Sequence, residues 1–209
     1  MSINSYATLQ AAIGNWLDRS DLTSRIPEFI TLAEARIGRR LRVRGIESTD
    51  TTALTGATSY ALPTDFLEAR RFYIDCNPYQ ILSYRSPQQL ETEFPSGYTY
   101  GSLGGYTIIG ANIYIRSDYN ATGNTLYTDY FAKLSALSDS SDTNWLTTNA
   151  PDLLLYGSLI EAEAYLVGDP RIPIWKAAFD EAIEEWNMLE MKARHSGSIL
   201  EIRQERSNP

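Results

Sequence analysis

The spacing of apolar residues changes twice along this chain. From Tyr6 to Leu41, and again from Trp175 to Leu189, they recur every three or four positions, as on one face of a helix. Between about Ser48 and Lys133 they alternate, as in a half-buried strand. A fold compatible with both periods is α+β: a four-helix frame, two helices from each end of the chain, with an inserted and mainly antiparallel β region. The implied division is a helical bundle from 1–47 and 148–195, a β-rich insert at 48–147 and a tail at 196–209. At 209 residues, 43% of them apolar, the chain is long enough for a sizeable core.

The first helix is expected over Tyr6–Leu17, capped by Ser5 or Asn4, with Leu9, Ile13, Trp16 and Leu17 on its inner stripe. DRSDLTS then reads as a polar turn. Ser24 is placed to cap a second helix, with Pro27 in its first turn, where a missing N–H costs nothing. Ile26, Phe29, Ile30, Ala33, Ile37 and Leu41 form its apolar face.

In the middle, the turn at Gly56, the Asn77-Pro78 break and the Gly110-Ala111-Asn112 hairpin mark about six strands. Their short links leave no room for crossover helices, so antiparallel pairing is expected. PQQLETEF, after Ser86, reads as a short helix. The polar link SALSDSSDTNWLTTNAPD leads back to helix. LLLYGSLIEAEAYLVG is apolar on nearly every side, which suits the buried centre of a bundle, with Asp169-Pro170 breaking it. The last helix is expected to reach Arg194, with Trp175, Phe179, Ala182, Trp186 and Leu189 inside and Asp180, Glu181, Glu184 and Glu185 wet.

The chemistry-bearing residues are few. One cysteine, Cys76, rules out an internal disulfide, and one histidine, His195, cannot build a His-rich metal site. No metal, cofactor or catalytic motif is expected. GSLGG lacks the Lys-Ser/Thr and following helix of a phosphate loop. The N-terminus lacks the basic and apolar regions of a signal peptide, and no apolar run is long enough for a membrane span. Glu161 and Glu163 lie in the most apolar helix, about 200° apart around it. A catalytic carboxylate there is the enzymatic reading. An ion pair with an arginine of the second helix is the structural one, and buried charge normally needs a partner.

Net charge is −8, unfavourable for general nucleic-acid binding, but the charge is uneven. Arg36, Arg39, Arg40, Arg42 and Arg44 fall within nine residues that hold no acid. Acid gathers on the last helix. Unlike patches of this kind suit head-to-tail contact between copies and equally a separate partner, with the arginines facing acidic protein or passing DNA. Tyr98, Tyr100 and Tyr106, among glycines, suit a docking loop. Ile199, Leu200 and Ile202 suit a tail that orders on a partner.

Three separated segments resemble one family. YATLQAAIGNWLDRSDLTSRIPEFITLAEARIGRRLRVR, ALPTDFLEARRFYI and NWLTTNAPDLLLYGSLIEAEAYL, followed by a Trp-bearing acidic helix, are similar to phage head-to-tail adaptor (connector) proteins of the short-tailed type, related to tail tubular protein A. The resemblance implies a non-enzymatic structural protein of the virion neck, made in the host cytoplasm. It implies a homo-dodecameric ring below the portal protein that extends the DNA channel and docks the tail nozzle or tube. Double-stranded DNA would pass without sequence specificity. Within that picture Arg36, Arg39, Arg40 and Arg44 are assigned to intersubunit or channel contacts. Tyr98, Tyr100 and Tyr106 are assigned to tail or neighbour docking, and Ile199, Leu200 and Ile202 to portal docking. The competing readings are a glycan-degrading tail-associated enzyme using Glu161 or Glu163, and a carbohydrate-binding or tail-fibre adaptor module using the β region.

Overall fold

The computed structural model describes residues 3–95, 99, 101, 104–166 and 168–195, the last two by backbone alone. The chain is α+β, as expected, and divides into two compact units. The helical unit takes the described residues up to Val43 and from Ala136 onward; the β unit runs from Arg44 to Ser135.

The helical unit holds five α-helices among its described residues, one more than the expected frame of four: α1 (Tyr6–Leu17), α2 (Ile26–Arg40), α4 (Trp145–Asn149), α5 (Pro151–Glu161) and α6 (Ile172–His195), with α3 (Pro87–Glu93) in the β unit. Ser5 and Thr8 form a reciprocal cap on α1, satisfying N–H groups that the first turn leaves open. Leu9, Ile13 and Leu17 are buried, but Trp16 is 44% exposed. It lies on the same arc as Leu9 and Ala12 but in the last turn of the helix, where it meets Tyr156 edge-on at 6.0 Å.

DRSDLTS is no plain turn. Ser20–Arg25 winds as a 3₁₀ helix that buries Leu22 and feeds straight into α2. Ser24 therefore does not cap; Arg25 holds the N-cap position without a side-chain hydrogen bond, and the Ile26 N–H donates to Thr23. The whole expected apolar face of α2 is buried.

α5 is the centre. Leu153, Leu154, Leu155, Leu159 and Ile160 are all buried on it, on several sides of the helix, each worth about 1.5–3 kcal/mol on transfer from water. It ends sooner than expected: Ala162–Tyr165 tightens into 3₁₀ before Asp169-Pro170 is reached. Phe29 meets Tyr165 just past the end of α5 at 5.5 Å, so α2 runs against α5. Arg40 pairs with Asp180 and the Arg42 N–H donates to Asn187, so α2 and α6 run in the same sense.

On α6 the buried residues are Ile172, Trp175, Phe179 and Ile183, and Leu189 is 50% exposed rather than internal. Length explains this. The 24 residues of α6 span about 36 Å, whereas the 11 of α5 span about 16 Å. The C-terminal turns of α6 extend past the helix that covers its first half.

Among its described residues the β unit has eight strands in two sheets, against about six expected. Strands β1 (Glu47–Ala53), β8 (Thr125–Ala132), β3 (Phe66–Asp75) and β4 (Gln80–Ile81) form one sheet in the order β1-β8-β3-β4. Strands β2 (Ser59–Ala61), β7 (Asn112–Arg116), β6 (Gly105–Ile109) and β5 (Ser83–Tyr84) form the other in the order β2-β7-β6-β5. The Gly110 hairpin joins β6 and β7 as expected. Gly56 turns the chain with φ 81°, but its flanking strands enter different sheets.

One pairing departs from the antiparallel rule. β5 and β6 are parallel, and α3 is the crossover between them. At Leu82 the chain changes sheets: its N–H donates to Phe72, while the next N–H, of Ser83, donates to Gly104. Leu54, Tyr60, Phe72, Ile74, Leu82, Ile113, Ile115 and Leu126 fill the space between the sheets.

Two positions test the helical unit. A Cβ on Gly157 would stand 3.1 Å from the Ala33 Cβ and 3.3 Å from the Phe179 ring. Gly157→Val is expected to cost about 1–3 kcal/mol by overpacking, read as a lower urea midpoint. The Glu34 carboxylate accepts from the Leu137 N–H and the Asn144 side chain, each at 3.0 Å, tying the link after the sheets to α2. Burial raises its carboxyl above the usual range, against the pull of those two donors. A raised acid favours the protonated fold, so stability falls as pH climbs from the ordinary carboxylate range through the folded-state value. Glu34→Gln should flatten that part of the stability–pH curve.

Candidate assembly surfaces

The basic end of α2 spends its arginines unequally. The Arg36 Nε donates to Glu161 at 2.6 Å, the ion pair expected for that glutamate. The pair is largely shielded, with 33% and 17% of the two side chains exposed. Arg40 donates to Asp180 at 2.5 Å, with its guanidinium carbon 5.5 Å from the Phe179 ring centre. Arg42 donates to the carbonyls of Gly38 and Leu41 at 2.9 and 2.7 Å, and Asn187 donates to the Arg40 carbonyl at 3.2 Å. These groups satisfy carbonyls that the last turn of α2 leaves open. Glu163, in contrast, is exposed on the 3₁₀ turn after α5.

Arg39 differs from these neighbours. It is exposed, and among the described residues no ion pair reaches it. It closes an outward stripe of α2 with Leu32, which is 51% exposed, and Ala35. Arg44 opens a short 3₁₀ turn of the β unit and is exposed. The outer face of α6 carries Ile174, Ala177, Glu181, Glu184 and Glu185 in the open, then Met188, Leu189 and Met191. Three unlike kinds of surface therefore lie on one unit: a largely apolar stripe closed by an arginine unpaired among the described residues, an acidic stripe and an exposed methionine-rich turn. Methionine adapts to irregular partner surfaces, which suits the last of these to docking.

Of the docking tyrosines, Tyr98 and Tyr100 lie outside the described residues. Tyr106 is half-buried on β6, its ring 4.6 Å from Phe72 and 5.7 Å from Tyr84. Burial pushes its phenol up, and the side chain packs against the core between the sheets. Ile199, Leu200 and Ile202 also lie outside the described residues.

Composition and spacing did not single out the outer face of the first sheet. There Tyr73 stacks between Tyr127 at 4.9 Å and Tyr79 at 4.8 Å. Hydrogen bonding with Tyr73 pushes the Tyr79 phenol up to about 12. Arg71 lies 4.5 Å over Tyr73 and donates to Asp129 at 2.7 Å, and the Thr49 hydroxyl donates to the same carboxylate at 2.8 Å. Glu47 and Arg70 pair beside them at 2.7 Å, lining a shallow groove of about 660 Å³. Alternation puts Tyr127 and Asp129 on one face of β8, but only the register with β3 and β1 brings the rest to them.

Among the described residues no group of three or more His, Cys, Asp and Glu is placed to hold a metal ion, and no helix is long and apolar enough to cross a membrane. Removing one partner of the Arg36–Glu161 pair leaves a shielded charge alone. Glu161→Gln is expected to lower stability by about 1–2 kcal/mol. Replacing both partners, as Arg36→Met with Glu161→Leu, should recover most of it in chemical denaturation.

The model of the SU10 adaptor protein family matches residues 4–199, covering all the helices and both sheets. No curated protein matches the chain. The match includes α1, α2, the sandwich and the central helix in order, and the chain belongs to the SU10 adaptor protein family.

Proposed function

We propose that this protein is a structural, non-enzymatic head-to-tail adaptor in the neck of a phage virion. Twelve copies form a ring below the portal protein, extend the DNA channel and give the tail nozzle or tube its docking surface. The observation that carries this reading is membership of the SU10 adaptor protein family over nearly the whole chain. Charge supports it. Closed rings of one subunit use heterologous contacts, in which one face meets a different face of the next copy. The helical unit offers an outward stripe on α2 that ends in the cation Arg39, unpaired among the described residues, and an acidic stripe on α6. A net charge of −8 suits a channel wall that lets double-stranded DNA pass without gripping it or reading its sequence.

In this reading the arginines divide their work. Arg36 and Arg40 brace α2 against Glu161 and Asp180, and so hold Arg39 in place for a neighbour. Arg44 serves intersubunit or channel contact from the β unit. Tyr98 and Tyr100 contact the tail or a neighbouring copy, with Tyr106 anchoring their loop at β6. Ile199, Leu200 and Ile202 seat on the portal. The protein is made in the host cytoplasm and functions in the particle.

Mass measurement of the full chain, alone and mixed with purified portal protein, tests the reading. A discrete ring of about twelve copies on the portal is expected. A chain that stays solitary in the presence of portal refutes it. Ile199→Ser with Leu200→Ser and Ile202→Ser is expected to abolish co-sedimentation with portal while leaving the circular dichroism spectrum unchanged.

A further inference from the structure

We infer that the contact between neighbouring copies is a parallel helix pair, with the outward stripe of α2 from one copy laid along the outward stripe of α6 from the next. In this register Leu32 sits on Ile174, Ala35 on Ala177, and Arg39 against Glu181. The inference rests on the ring reading above and specifies the joint within it.

Orientation comes first. α2 and α6 run in the same sense within one subunit, because Arg40 pairs with Asp180 and Arg42 with Asn187. In a ring of about a dozen copies, each step turns a subunit by only about 30°. Such a turn leaves helix directions nearly unchanged, so α2 of one copy meets α6 of the next in the parallel sense. An antiparallel joint would need a two-fold axis, which a closed ring of this kind lacks between adjacent subunits.

Spacing then fixes the register. One exposed line of α2 runs Glu28, Leu32, Ala35 and Arg39, and one of α6 runs Ile174, Ala177, Glu181 and Glu185; the joint uses Leu32, Ala35 and Arg39 with Ile174, Ala177 and Glu181. Both sets are separated by three and then four positions, which keeps each on one helix face. Leu32 and Ile174 are both large, apolar and open to water, at 51% and 67% exposure. Ala35 and Ala177 let the two backbones approach closely. Arg39 and Glu181 are exposed and have no ion-pair partner among the described residues.

Sliding α2 one turn toward the C-terminal end of α6 brings Arg39 to Glu185, but sets Ala35 on Glu181 and the charged Glu28 on Ile174, so the two large apolar residues no longer meet. Sliding it the other way sets Arg39 on Ala177 and strands the charge. One register alone sets the two large apolar residues on each other and pairs the arginine. Arg36 and Arg40 take no part, since each is bound inside its own subunit.

Cysteine cross-linking on the full chain reads the joint directly. In a Cys76→Ser background, one preparation carries Leu32→Cys and another Ile174→Cys. After assembly on portal and mild oxidation, the mixture is expected to give covalent dimers, and each preparation alone none. A chain carrying both changes is expected to give a ladder of multimers on a denaturing gel. Dimers from either single variant alone, or multimers with no bond between positions 32 and 174, overturn the register but leave the adaptor reading standing. Failure of the unmodified chain to form multimers on portal overturns both.

Charge exchange provides the second measurement. Arg39→Glu or Glu181→Lys alone should cut ring yield about tenfold or more. The two together on one chain should restore it, because every joint again holds one charge of each sign. Full assembly by either single variant, or no recovery in the pair, overturns the assignment.

Discussion

The close approach of α2, α5 and α6 at Gly157 is the constraint on which the helical unit depends. A helix buried on several sides must satisfy each side with a neighbour, and α5 does so with leucines and isoleucine wherever the backbone leaves room. Where it leaves none, glycine stands between Ala33 and Phe179. That lets α2 and α6 both close on α5. The polar groups follow from the same packing. Arg36, Arg40, Arg42 and Asn187 fall where α2 ends near α6, and close its last carbonyls and charges within the unit.

Much of this was legible in the sequence. The apolar face of α2, the central burial of α5 and the Gly110 hairpin follow from local period and turn chemistry, and each is observed. The ion pair between Glu161 and the second helix followed from the cost of burying a lone carboxylate. What was not legible depends on where helices and strands stop relative to each other. Leu189 has the right spacing to face inward, but α5 is too short to cover it. Ser24 has the right chemistry to cap α2, but the 3₁₀ turn before it supplies the backbone acceptor. The parallel β5–β6 pair needed knowledge that α3 returns the chain to the same sheet.

The candidate surfaces show the same division. A cluster of five arginines was visible as composition, but their roles were not. Tertiary contacts engage Arg36, Arg40 and Arg42 within the helical unit and leave Arg39 without an ion-pair partner among the described residues, a distinction that depends on which neighbour each one reaches. The tyrosine and ion-pair ladder on the first sheet was invisible for a related reason. Apart from Tyr79, in the turn after β3, its members come from β1, β3 and β8, which become neighbours only through register.

The outermost strand of that sheet has a consequence for crowding. β1 lies at an edge, its sequence is ESTDTTA, and none of its seven residues is buried. Hydroxyls and carboxylates along a free margin make a poor template for another chain's backbone, because no apolar strip rewards the match and like charges oppose it. Copies of one polypeptide held close together would otherwise zip into fibres through such margins, and β1 closes that route on its side of the sheet.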